Sequence, residues 1–315
     1  MRKLLLAFAL LFLLGSVMQA QQDPLRSNYR FNYLLINPAA AGSNGQWTGR
    51  VAVRSDFSRL PGSAVTSNAS VHGILGENSG VGINLISDVI NVEQNVGIQL
   101  NYAYHIDMDR NNLSIGLGAR YVDYRLNEEM VDIYTPEPLN GFTGGLGDLS
   151  LGVMHYSKKH FVGISVPQLV QITGAEVNEL VPHIYLSGGY IFDLGSVSLE
   201  PMLLARFIPN AKTLLDINLR AWFVDNQLML GAGWRGPNGS QFAGSGITLM
   251  TGFNVNNKWQ FTYSYDMMSG DFQSLTWGSH EVGFGFTFGK QKFDNVFGVR
   301  TSNEEEPAME DAPAQ

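Results

Sequence analysis

Three stretches of this sequence carry residue types that chemistry needs. Gly231-Ala-Gly-Trp-Arg-Gly236 matches the G-x-G-x-x-G pattern in which glycines bring a backbone close to a pyrophosphate at a helix start. Here it ends an alternating strand pattern and runs into Pro237-Asn-Gly239, a turn, so the match is accidental. Gly163-Ile-Ser165 begins like a nucleophile elbow but continues as Val166-Pro167 inside a strand. That sets Ser165 on a polar strand face, away from any activating strand-to-helix turn. His155 and His160 flank a tight turn, with no carboxylate at metal-ligand spacing. No serine can be paired with a histidine from sequence alone, and the absence of cysteine removes thiol chemistry. These residues lead to a non-enzymatic protein without metal or cofactor.

The remaining candidates are charges: Arg50, Arg54, Asp56, Arg120, Glu200, Arg206, Asp216 and Arg220. All fall within strand patterns, on the polar face, and the kind of sheet that holds them decides what they do. The most informative strand is His280-Glu-Val-Gly-Phe-Gly-Phe-Thr-Phe-Gly289. Val282, Phe284, Phe286 and Phe288 share one face, opposite Gly283, Gly285 and Thr287, because side chains alternate along a strand. Trp259, Phe261, Tyr263 and Tyr265 likewise oppose Gln260, Thr262, Ser264 and Asp266. An aromatic face backed by a polar one suits a sheet between lipid and an aqueous lumen.

Composition agrees. Only 15% of the 315 residues are charged, against about 25% in soluble proteins, and there are 35 glycines and 18 phenylalanines. The net charge of −8 (20 basic, 28 acidic) provides no basic footprint, so nucleic acid is not an expected partner. Past residue 20 no apolar run reaches the roughly 20 residues of a spanning helix, so insertion must be by closed sheet.

Fourteen strands can be marked, over 48–57, 65–75, 80–87, 95–105, 112–126, 147–156, 160–167, 183–192, 197–207, 211–224, 227–235, 246–254, 259–266 and 280–289. Connections after even-numbered strands are short, and several after odd-numbered strands are long, notably 127–146, 168–182, 236–245 and 267–279. Short periplasmic turns and long extracellular loops are the outer-membrane pattern, and an even strand count returns both chain ends to the periplasm. The fold class is therefore all-β: an antiparallel transmembrane β-barrel of about 14 strands over residues 48–289. Its enclosed charges read either as a structural ion-pair network or as a conduction path or ligand site. A barrel of this size is wider than side chains alone can fill, which leaves room for a plug.

Residues 1–20 have the basic start and short apolar core of a secretory signal peptide. Residues 21–47 form a lead-in, either an exposed arm or a segment folded into the mouth or lumen. Residues 290–315 end in an acidic, proline-containing run without aromatics past Phe297, which reads as a disordered periplasmic tail.

The lead-in carries Asn37-Pro38-Ala39-Ala-Ala-Gly42 after Tyr29-Arg-Phe-Asn32. With Arg54, Asn101-Tyr-Ala-Tyr-His105, Gly163-Ile-Ser-Val-Pro-Gln168, Glu200-Pro201, Leu215-Asp-Ile-Asn218 and Gly233-Trp-Arg235, it resembles the PorP/SprF family of the Bacteroidota type IX secretion system. The resemblance covers roughly residues 23–289; Ala40 stands where the family usually has an aromatic, and Asp56-Phe57 where it tends to have Gln-Trp. It implies a non-enzymatic bacterial outer-membrane barrel working with periplasmic ring and peptidoglycan-binding subunits. It also implies help in exporting or anchoring a large cell-surface adhesin of the gliding type. A channel for small or hydrophobic solutes and a membrane-embedded hydrolase are the competing readings.

Overall fold

The computed structural model describes residues 28–126, 143–173, 181–209, 212–236, 246–256, 258–268 and 274–289. The expected signal peptide, the acidic tail and much of the long connections lie outside these residues. The strands are β1 (Trp47–Ser55), β2 (Val65–Leu75), β3 (Ser79–Ile90), β4 (Glu93–Met108) and β5 (Asn111–Leu126). There follow β6 (Gly144–Tyr156), β7 (His160–Thr173), β8 (Ile184–Tyr190), β9 (Phe192–Asp193) and β10 (Ser198–Phe207). The last are β11 (Leu214–Phe223), β12 (Leu228–Gly236), β13 (Gly246–Val255), β14 (Trp259–Met268) and β15 (Ser279–Phe288). Both β8 and β9 pair with β10, making one barrel strand interrupted at buried Ile191. The ring therefore has fourteen strands.

Neighbours in sequence are antiparallel neighbours in the sheet, and β1 pairs with both β2 and β15. The last ladder runs from Trp47 opposite Phe288 to Ser55 opposite His280 and closes the barrel. Closure satisfies every strand edge, which a sheet in lipid requires. Val96, Ile98, Leu100, Tyr102 and Tyr104 of β4 point outward and are exposed, while Gln99, Asn101, Ala103 and His105 are buried. An apolar belt of this kind continues around the wall, and lipid is the solvent that suits it. No helix among the described residues is long and apolar enough to cross a membrane; the strands make the crossing.

Several strands outrun the sequence pattern. Strand β3 continues to Ile90 and meets β4 through Asn91 and Val92 alone, so not every odd-numbered connection is long. Strand β7 continues past Pro167 to Thr173 with register shifts against β6. Proline has no N–H for the ladder, and a bulge accommodates it. Trp47, Trp259 and Phe288 gather at the short-turn end, where Trp47 stacks on Phe288 (6.2 Å) and Trp259 on Phe284 (5.5 Å). Aromatics at this level suit a membrane–water interface.

Candidate functional site

The described part of the lead-in, residues 28–46, lies in the lumen. From Tyr29 to Asn44 nearly every residue is buried, and the backbone makes three single 3-10 turns, Asn28–Arg30, Tyr33–Leu35 and Pro38–Ala40. So irregular a segment inside a barrel must find partners for its peptide groups. The wall supplies them. Arg220 donates to Arg30 O (2.8 Å), Ser165 to Ile36 O (2.6 Å), Ser114 to Ala39 O (2.7 Å) and Asn84 to Leu34 O (3.4 Å). His105 Nε2 lies 2.8 Å from Ala41 O and so carries the proton, leaving Nδ1 to accept from Tyr156 OH at 2.8 Å. These donors come from β11, β7, β5, β3 and β4, so the segment is tied to much of the ring.

Asn37, Pro38, Ala39 and Gly42 take distinct places. Pro38 opens the third 3-10 turn, where a missing N–H costs nothing. Asn37 caps that turn, accepting from Ala39 N–H at 2.9 Å, and its amide nitrogen reaches Val153 O on β6 at 3.3 Å. Gly42 has φ +76, a conformation that favours glycine, and its N–H donates to His72 Nδ1 at 3.1 Å. The wall has hollows to match. A Cβ on Gly116 would strike the backbone of Pro38 and Ala39, and one on Gly80 would strike Ala41 O. Small plug residues thus lie directly against inward-facing glycines.

Apolar packing holds the other side. Tyr29, Tyr33, Ile36, Ala39 and Ala40 form one buried cluster with Met154, Tyr156, Phe161, Tyr185, Met202 and Leu204. Tyr33 meets Phe161 edge-on at 4.7 Å. Burial, with the nearby Asp216 charge, pushes the Tyr29 phenol up to about 12; Tyr33 is also raised, chiefly by burial. Burial opposes the Arg30 charge, but Asp216 outweighs it and holds the guanidinium protonated.

The charges form an alternating chain. Arg30 of the plug meets Asp216 (2.8 Å), which also accepts from Arg235 Nε (2.9 Å). Arg235 continues to Asp266 (3.6 Å), Asp266 to Arg54 (2.7 Å), and Arg54 to Asp56 (2.7 Å) and Glu281 (3.4 Å). Of the charges singled out in the sequence, Arg54, Asp56 and Asp216 belong to this chain. Glu200 and Arg220 pair at 2.5 Å, with Glu200 also accepting from Trp222 Nε1. Arg120 stands apart, paired with Asp148 at 2.7 Å. Arg206 is half-buried within the field of Asp216, and among the described residues Arg50 bonds only to Gln260. Arg30, Asp148, Arg235, Asp266 and Glu281 are not among the charges singled out in the sequence. Alternation already sets Asp266 on the polar face with Ser264, and it sets Glu281 on the face of Gly283 in the same way.

One serine–histidine contact, not evident from sequence, exists: Ser157 Oγ lies 2.8 Å from His160 Nδ1. The same oxygen accepts from Lys159 N–H and His160 N–H, both at 3.1 Å. It therefore serves the β6–β7 turn, with no group shown to orient the imidazole as a base. His155 and His160 stack at 5.2 Å on the outer face, and no metal-holding group of side chains occurs among the described residues. The Gly231 to Gly236 stretch is strand β12, not a helix start.

Residues 18–286 match the family model described as type IX secretion system membrane protein PorP/SprF. Comparison with curated proteins finds no match. Among solved structures, the chain is similar to the outer membrane protein Omp33 of Acinetobacter baumannii (8% identity, TM-score 0.47, 78% of this chain and 100% of that one). It is also similar to the CymD monoaromatic hydrocarbon channel (10%, 0.49, 85% and 94%). The toluene transporter TodX of Pseudomonas putida is a third (10%, 0.44, 85% and 93%).

Proposed function

Since this chain belongs to the PorP/SprF family of type IX secretion system membrane proteins, we propose that it is a non-enzymatic, plugged outer-membrane barrel that helps export or anchor a large cell-surface protein. Its working surfaces are then its two rims. The observation that carries this is the occupied lumen: residues 28–46 are bound to several wall strands through backbone carbonyls, a buried ion pair and an apolar core. A solute channel needs a path, and residues 28–46 are packed into it. The proposal places the short turns and both chain ends in the periplasm, against the ring and peptidoglycan-binding subunits. The long-loop rim meets the exported adhesin. The support is the clustering of short connections at one end, together with family membership.

Cross-linking and mass spectrometry in the native envelope tests this reading. It predicts links from the short-turn rim to periplasmic secretion subunits and from the long-loop rim to a large surface protein. A deletion strain with normal surface proteins and normal motility contradicts it.

A further inference from the structure

We infer that the lumen binds one monovalent anion, of the size and charge of a halide, held by Arg50 between plug and wall. A cavity of about 30 Å³ lies between plug residues such as Phe31 and Ser43 and wall residues such as Arg50 and His72. That exceeds the roughly 10–15 Å³ one water needs, so a small ion fits. Arg30, Arg50 and Arg220 line it, with Glu200 as their one carboxylate neighbour in the lining. Arg30 is balanced by Asp216, and Arg220 by Glu200.

Arg50 has no such balance. It is 6% exposed, and its one hydrogen bond goes from Nη1 to the uncharged Gln260 Oε1 at 2.6 Å. Its Nε is buried without a partner, and among the described residues it has no carboxylate within ion-pair distance. A buried cation needs a counter-charge, and arginine does not escape the cost by releasing its proton. One surplus positive charge beside one small cavity calls for one negative charge. A water would fill the space and leave the charge standing. A divalent oxyanion would reverse the imbalance.

His72 adds a second donor. Its Nδ1 accepts from Gly42 N–H, so the neutral ring carries its proton on Nε2, and the residue is part of the cavity lining. Because plug and wall each supply part of the cavity, the ion joins them. This inference is independent of the export role proposed above.

The test uses the full chain crystallised from detergent in sodium bromide. An anomalous peak in the cavity, within hydrogen-bond reach of Arg50, is the expected result. Bromide peaks elsewhere, with only a water in the cavity, would overturn the inference. In solution, the melting midpoint should rise with bromide over gluconate at matched ionic strength, as ligand linkage requires. Arg50→Met should abolish that halide dependence; a variant that keeps it overturns the assignment. If Arg50→Met does not fold, the anomalous map of the unaltered chain decides.

Discussion

Arg30 Nη2 and Asp216 Oδ1 lie 2.8 Å apart, fully buried, although 186 residues separate them in sequence. This contact joins the plug to the barrel and places Arg30 at one end of a charge chain that reaches Glu281. Removing Arg30 leaves Asp216 still paired with Arg235, so the loss is that of one hydrogen bond to a charged group and not of a stranded charge. Arg30→Met is therefore expected to cost about 1.5–3 kcal/mol. Urea unfolding of the detergent-solubilised chain measures it, and a loss below ~1 kcal/mol, the range of exposed pairs, would show that the contact does not hold the plug.

The hollows beneath the plug are equally testable. Gly116→Val puts a side chain where the Pro38 and Ala39 backbone now lies. Overpacking of this kind costs about 1–3 kcal/mol. Hydrogen exchange should accelerate at Ala40 and Ala41, whose N–H groups bond to Asn37 O and Pro38 O. Unchanged exchange would mean that the segment does not press on β5.

On the outer wall, Leu100 stands near the middle of β4, exposed, beside inward-facing Asn101. If lipid covers this face, Leu100→Arg costs about 2–4 kcal/mol, and the same change nearer a strand end costs about 0–1 kcal/mol. Folding titrations into phospholipid vesicles measure the difference. A depth-independent effect contradicts a lipid-facing belt.

Tyr29 offers a pH signature. Its phenol is raised from 10.0 in the unfolded chain to about 12 in the fold. Between these values the native state keeps a proton that the unfolded state has lost. The contribution of Tyr29 is therefore present below pH 10 and falls as pH rises toward 12. The alkaline phenolate difference spectrum of Tyr29→Phe against the parent should show one tyrosine missing from the high-pH component. Loss from the component near pH 10 would place Tyr29 in water.

Much of the wall was legible in the sequence because alternation repeats over many strands. The outward set Val96 to Tyr104 and the inward set with Gln260 and Ser264 follow from period two alone. The break at Ile191 was not legible, since a buried residue that leaves the ladder looks like any other apolar strand residue. Nor was the plug. Tyr29 to Gly42 has no strand or helix period, and its carbonyl partners Ser114, Ser165 and Arg220 are remote in sequence. Charged positions on the wall could be found by face, but their pairing could not. Arg30, which completes the chain at Asp216, comes from outside the sheet.

The proposed function depends most on a lumen closed by the chain's own lead-in. Single-channel recording of the unaltered full chain in a planar bilayer tests this directly. The filled lumen predicts insertion without sustained conductance. A stable, ion-conducting open level from the unaltered protein would contradict it.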